Sequence, residues 1–221
     1  MGYNRLSVAL ILSMKINLRE VVIAILIFVV VFAVVQLSMG SYKVEMTSMV
    51  PTFKPNDCIM VDKLTYRFRD PHRGEVVIVW PPKDRVSSKN PYIKRVIGLP
   101  GDIVEIREGQ VYIKTKNSSE FRLLSEELPG VSETPECRND GRWEIQKGQY
   151  FVLGDNRDES SDSSTWGTVP RKNFVGKTWL RYWPMSRFGL TPHYSYELES
   201  TSASLGILPA IESSALSVSM I

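Results

Sequence analysis

The feature that most limits what this chain can fold into is an unbroken run of fifteen apolar residues, Val21 to Val35. Gln36 interrupts it, and Leu37, Ser38, Met39 and Gly40 carry the segment to the ~20 residues that span a bilayer core. A membrane-bound protein with a spanning helix over 21–40 is therefore expected. Arg5, Lys15 and Arg19 against Glu20 give residues 1–20 a positive flank, which places that end on the cytoplasmic side. The bias is weak, because Lys43 and Lys54 lie just beyond the block. The rival reading is a cleavable signal peptide, since Ser38 and Gly40 are small residues with −3 and −1 spacing before Ser41. The apolar run is longer than a typical signal-peptide core, which favours the anchor.

The remaining composition is that of an ordinary globular protein, with 43% hydrophobic and 23% charged residues. A formal charge of +3, from 27 basic and 24 acidic residues, supplies no concentrated positive field, so nucleic acid is not an expected partner. The two histidines and two cysteines are too scattered for a structural zinc site, and Cys58 and Cys137 read as two free thiols.

Beyond the anchor, short β-strands separated by Gly, Pro, Asn and Asp turns are expected at 58–61, 75–80, 92–97, 103–107, 110–114, 150–153 and 177–182. Alternation on both sides of Glu108-Gly109 predicts a hairpin there. No segment has a sustained helical period, so an all-β barrel or sandwich domain is expected over 41–186. Its polar stretch 115–142 reads as an inserted loop, and the Ser-rich 187–221 as a disordered tail.

Two activated-serine chemistries are open to such a domain. His72 sits in a Pro-Arg-Gly turn and His193 in the expected tail, so neither suits a histidine-based triad. The alternative is a neutral lysine, whose pKa must fall from about 10.4 to roughly 7 or 8. A fall of that size corresponds to roughly 3.5 to 4 kcal/mol, which calls for desolvation or nearby positive charge. Lys94 lies mid-strand in Tyr92-Ile93-Lys94-Arg95-Val96-Ile97, sharing a face with Tyr92 and Val96. Arg95 shares the other face with Ile93 and Ile97, so periodicity leaves open which basic residue is buried; only the lysine can act as a base. Ser48 lies eight residues past Gly40, hence at most roughly 27 Å from the end of the anchor. A dense polar run, Gly154 to Gly167, follows the apolar strand at 150–153 and reads as a loop held by its own side chains.

Taken together, Ser48-Met49-Val50-Pro51-Thr52, Lys94-Arg95-Val96-Ile97-Gly98-Leu99-Pro100-Gly101-Asp102 and Gly154-Asp155-Asn156-Arg157-Asp158 closely resemble type I signal peptidases, over about 42–184. These are membrane-anchored Ser/Lys endopeptidases that remove signal peptides from exported proteins. The resemblance implies Ser48 as nucleophile and Lys94 as general base, with Tyr92 packed beside the lysine. It implies that the Ser160 hydroxyl orients the lysine amine, that Asp162 supports the site, and that Arg157 and Asp158 are structural. Met49 and apolar neighbours would line shallow pockets for small residues at −1 and −3 of the substrate. Two positions depart from the family's usual pattern. Met46 stands where many members have a serine that joins the oxyanion hole and others a glycine, which leaves the backbone N–H of Ser48 as the main donor. Ser164 stands where many carry an arginine that pairs with the carboxylate, so Asp162 needs another partner, with Arg157 the candidate.

The expected activity is cleavage of preproteins after small residues, by acylation of Ser48, with no metal or organic cofactor and no required protein partner. The expected partners are signal-peptide-bearing preproteins and the lipid bilayer, which Trp80, Trp179 or Trp183 would touch unless they are core. The expected location is a bacterial plasma membrane with the domain outside, a thylakoid membrane being the alternative. A catalytically impaired, membrane-anchored β-rich binding module is the competing reading, and Ser38-Met39-Gly40 raises self-cleavage.

Overall fold

In the computed structural model the described residues are 17–84, 86–125, 136–194, 196 and, for the backbone alone, 198–200. The apolar block forms one helix, α1 (Leu18–Ser38), with a mean hydropathy of 3.1, long and apolar enough to cross a membrane. At 1.5 Å per residue it is about 31 Å long. Nearly all its side chains are exposed, as those of a lipid-facing helix are.

The helix ends sooner than the hydropathy pattern suggests. Met39 and Gly40 belong to strand β1 (Met39–Lys43), which pairs antiparallel with β2 (Cys58–Asp62), Gly40 opposite Val61. Lys63 N–H donates to Ser38 C=O at 2.8 Å and prolongs that ladder to the end of the helix. The Gly40–Ser41 bond, which the small-residue spacing marked for cleavage, is thus held in a sheet. A bond engaged in that way is a poor protease substrate.

The rest of the chain is all-β, in two antiparallel sheets. After β2 come a short helix α2 (Thr65–Phe68), then β3 (Val76–Val79), β4 (Tyr92–Gly98), β5 (Ile103–Arg107), β6 (Gln110–Lys114), β7 (Arg122–Leu124), β8 (Gly141–Glu144) and β9 (Gln149–Leu153). A short helix α3 (Ser163–Trp166), then β10 (Val169–Pro170), β11 (Phe174–Trp183), β12 (Gly189–Leu190) and β13 (Leu198–Ser200) complete it. The larger sheet runs β1-β2-β11-β3-β4-β9-β10, with β12 on β11; the smaller runs β13-β7-β6-β5-β8.

Strand pattern follows burial. All four residues of β3 are buried, giving a continuous apolar run, whereas β5 and β6 alternate because one face is exposed. Their hairpin turns at Glu108 (φ 49°) and Gly109 (φ 75°), the two successive positive φ values of a type I′ turn. One apolar core lies under the smaller sheet around Ile97, Ile113 and Phe151, and another under β2 and β3 around Phe53, Ile59 and Ile78.

Two segments differ from their sequence expectation. The polar stretch 115–142 contains β7 and the start of β8, although 126–135 fall outside the described residues. Within the stretch expected to be a disordered tail, Gly189–Leu190 and Leu198–Ser200 form strands of the two sheets. β12 pairs with Leu180 and Arg181 of β11 beyond the point where β3 ends, and β13 pairs with β7. The expected disorder of 201–221 lies outside the described residues.

Candidate active site

Ser48 sits on the turn between β1 and β2. That turn is held from below by Met49 and Phe53, both fully buried, and closed by Phe53 N–H donating to Met49 C=O at 2.8 Å. Lys94 lies in the middle of β4, opposite Val77 of β3, and its Nζ is hydrogen-bonded to Ser48 Oγ at 2.7 Å. Both side chains are buried, the lysine residue 2% and the serine 6% exposed. The aromatic ring of Tyr92, two residues earlier on the same face, lies 5.5 Å from Nζ. Burial pulls the Lys94 pKa down to about 8, while the negative charges of Asp162 and Asp155 oppose that fall. A lysine with that pKa is substantially neutral near pH 8 and can take a proton from a serine hydroxyl.

The other basic residue of the strand is buried too, which periodicity left undecided. Arg95, on the opposite face of β4, is fully buried and pairs bidentately with Asp155, Nε to Oδ1 at 2.8 Å and Nη2 to Oδ2 at 2.7 Å. Thr52 Oγ1 donates to the same carboxylate at 2.6 Å. Since Asn156 N–H donates to Ser48 C=O at 3.1 Å, the 154–156 segment is fastened to both ends of the nucleophile turn. Gly154 is required there: a Cβ on it would lie 2.3 Å from Ser160 Oγ and 2.4 Å from Ser48 O.

The supporting residues divide. Asp162 caps α3, accepting from Ser164 N at 3.0 Å and Ser164 Oγ at 2.8 Å, and its other oxygen accepts from Gly154 N at 2.9 Å. Its partners are therefore Ser164 itself and the backbone, not Arg157, whose Nε donates to Gly154 C=O at 2.8 Å. The Ser160 hydroxyl is buried beside Gly154 and makes no hydrogen bond among the described residues, so it does not hold the Lys94 amine here. Asp158 lies at the surface, its side chain 77% exposed and paired with Arg138 at 3.4 Å.

A cleft of about 470 Å³ opens beside the dyad. One wall is Ser41 to Met46, the other Ser88 to Ile93, with Ile59 and Ile78 at its base. Met49 is not part of it: its side chain points into the core with Val61 and Val76, and the exposed Met46 lines the cleft instead. The Ser48 N–H donates no hydrogen bond among the described residues and is available to a developing oxyanion. Trp80, Trp179 and Trp183 are 36%, 45% and 55% exposed, so they are surface residues.

A family model described as "Signal peptidase, peptidase S26" matches residues 17–183. The chain belongs to that family. The peptidase is 42% identical over 147 residues to the probable signal peptidase I-2 of Synechocystis, a match covering 65% of this chain and 63% of that protein. It is 32% identical to signal peptidase IB of Staphylococcus aureus, covering 85% of this chain and 99% of the relative. Thylakoidal processing peptidase 1 of Arabidopsis thaliana is 34% identical, over 67% of the peptidase and 43% of the plant protein. A solved signal peptidase I from Enterococcus faecalis shares 30% identity over 49% of the peptidase and 97% of that chain, with a TM-score of 0.38.

Thr52, Arg95, Asp155 and Gly154 hold the peptidase's site together but stand in its sequence only as letters within the motifs. A signal for them existed in the adjacent Lys94-Arg95 pair, because a strand buried on both faces must give its arginine an internal carboxylate.

Proposed function

We propose that this chain is a membrane-bound serine endopeptidase that removes signal peptides from exported preproteins, cleaving after small residues at −1 and −3, with Ser48 as nucleophile and Lys94 as general base. The observation that carries this reading is the 2.7 Å contact between Ser48 Oγ and a buried Lys94 whose pKa is about 8. An extended substrate segment lies in the cleft between Tyr42–Met46 and Pro91–Ile93, its scissile carbonyl over Ser48. Lys94 takes the Ser48 proton as Oγ attacks, and the oxyanion is met by the Ser48 N–H. The lysine ammonium then gives its proton to the departing amine, which leaves an acyl-enzyme on Ser48. Lys94 next deprotonates a water that attacks the ester, and the returning proton restores the serine.

Tyr92 shields the amine from water, Asp162 and Asp158 order the loop from 154 to 167, and the Ser160 hydroxyl is the second partner that the amine takes up during turnover. Helix α1 spans the membrane with the preceding residues in the cytoplasm and the β-domain outside. Trp179 and Trp183 lie against lipid. A bacterial plasma membrane is the location this reading favours, with the thylakoid relative keeping that membrane as its alternative. With the attacking hydroxyl and the base in contact, the site offers no support for an impaired binding module.

The test is processing of a preprotein by the detergent-solubilised chain, with sequencing of the new N-terminus. Ser48→Ala and Lys94→Ala should each abolish cleavage while leaving the fold intact. Undiminished processing by either variant would contradict the dyad.

A further inference from the structure

The family match ends at residue 183, yet the chain continues across the back of the dyad. After β12, Thr191 is 5% exposed and its N–H donates to Trp179 C=O at 2.9 Å. The Pro192 carbonyl accepts from Arg95 Nη1 at 3.3 Å. Val76 N–H donates to His193 Nδ1 at 3.4 Å, and the Tyr194 ring lies over the Arg95 guanidinium, 4.6 Å from Cζ. The segment presses against Gly74, where φ is +85° and an added Cβ would lie 1.7 Å from the Tyr194 carbonyl oxygen. Gly74 C=O in turn accepts from Arg95 Nη1 at 2.9 Å. Residues 191–194 are thus a strap over the guanidinium whose other edge holds Asp155.

We propose that Tyr194, with the Pro192 carbonyl, is a positioning element of the active site: it seals the Arg95–Asp155 pair from water, and so keeps Ser48 in place and the Lys94 amine neutral. The proposal rests on the peptidase reading above. Arg95 touches no substrate, so the strap acts only through it. Without the ring, water reaches the guanidinium from the strap side and competes for its bonds to Asp155. The carboxylate then carries more uncompensated charge towards Lys94, and the lysine is less desolvated. Both changes favour the ammonium form.

The other groups around the pair do not obscure this effect. Asp162 and the Tyr92 ring face Lys94 from α3 and β4, and Tyr196 faces Arg95 from the strap side. The pKa of His193, whose side chain is partly exposed, is pulled down to about 4 by partial desolvation and by Lys177, Glu75 opposing, so it does not change charge in the working range.

The experiment compares the full chain with Tyr194→Ala, Tyr194→Phe and Tyr194→Leu, the last keeping bulk without the ring should the alanine variant fail to fold. For each, kcat/KM for a preprotein is measured against pH, and the Lys94 amine is titrated by NMR of its labelled ε-carbon. In the alanine and leucine variants the acid limb and the NMR titration both move up by about 0.5 pH unit, so activity at pH 7 falls about threefold and recovers above pH 9. Tyr194→Phe keeps the ring and behaves as the unmodified chain. A limb and a titration that stay put, or a phenylalanine variant as altered as the alanine one, would overturn the proposal. The NMR titration reads the strap even in a chain that cleaves nothing, an outcome that would count against the peptidase reading instead.

Discussion

Replacing Lys94 with methionine should abolish cleavage and yet stabilise the protein at neutral pH. The amine titrates near 8 when folded, against 10.5 for an ordinary lysine. That difference corresponds to about 3.4 kcal/mol of cost for burying the ammonium. Below pH 8 both the folded and unfolded chains carry the proton, so the folded state bears the whole cost. Between about 8 and 10.5 the unfolded chain still holds a proton that the folded chain has lost, so stability rises with pH through that window. Methionine has similar length and no charge, but it gives up the hydrogen bond to Ser48, worth about 1 kcal/mol. Lys94→Met should therefore be more stable than the unmodified chain by about 2 kcal/mol at pH 6 and lose that advantage near pH 10.5. Urea unfolding in detergent, followed by tryptophan fluorescence at both pH values, measures it. A variant less stable at pH 6, or a difference that does not change with pH, would refute the reasoning.

Three further substitutions probe the frame behind the dyad. Arg95→Leu leaves the Asp155 carboxylate buried without its ion-pair partner, and a loss of about 3 to 5 kcal/mol is expected in the same unfolding assay. Gly154→Ala forces apart Ser160 and the Ser48 carbonyl, so kcat should fall on the order of 10²-fold in a processing assay with little change in KM. Ser164→Ala removes one hydroxyl bond to Asp162 but keeps the backbone one, so unfolding should show a loss of about 1 kcal/mol.

What was legible in the sequence is what has a local pattern. The hairpin at Glu108-Gly109 was legible from its alternating arms and from Gly109, which takes positive φ freely, although Glu108 must adopt φ 49° as well. The base was legible because its chemistry demands a lysine inside an apolar strand. The misread parts depend on contacts distant along the chain. Met39 and Gly40 look like the end of the anchor and become part of strand β1 only because β2 pairs with them. Met49 and Met46 flank the same serine in a turn without periodicity, so nothing local says which faces the core. Residues 191–194 resemble a tail, and what holds them against the domain is Arg95 and Gly74, about a hundred residues earlier. Asp162 illustrates the same point over a short range, since Ser164 replaces the missing arginine with a helix cap rather than with charge.

The central claim is that a neutral lysine activates Ser48, and the pH dependence of preprotein cleavage tests it most directly. Cleavage should rise about tenfold per pH unit below pH 8 and level off above it, because only the deprotonated amine can accept the serine proton. A rate already level by about pH 7.5, as a histidine base of pKa about 6.5 would give, would contradict the account.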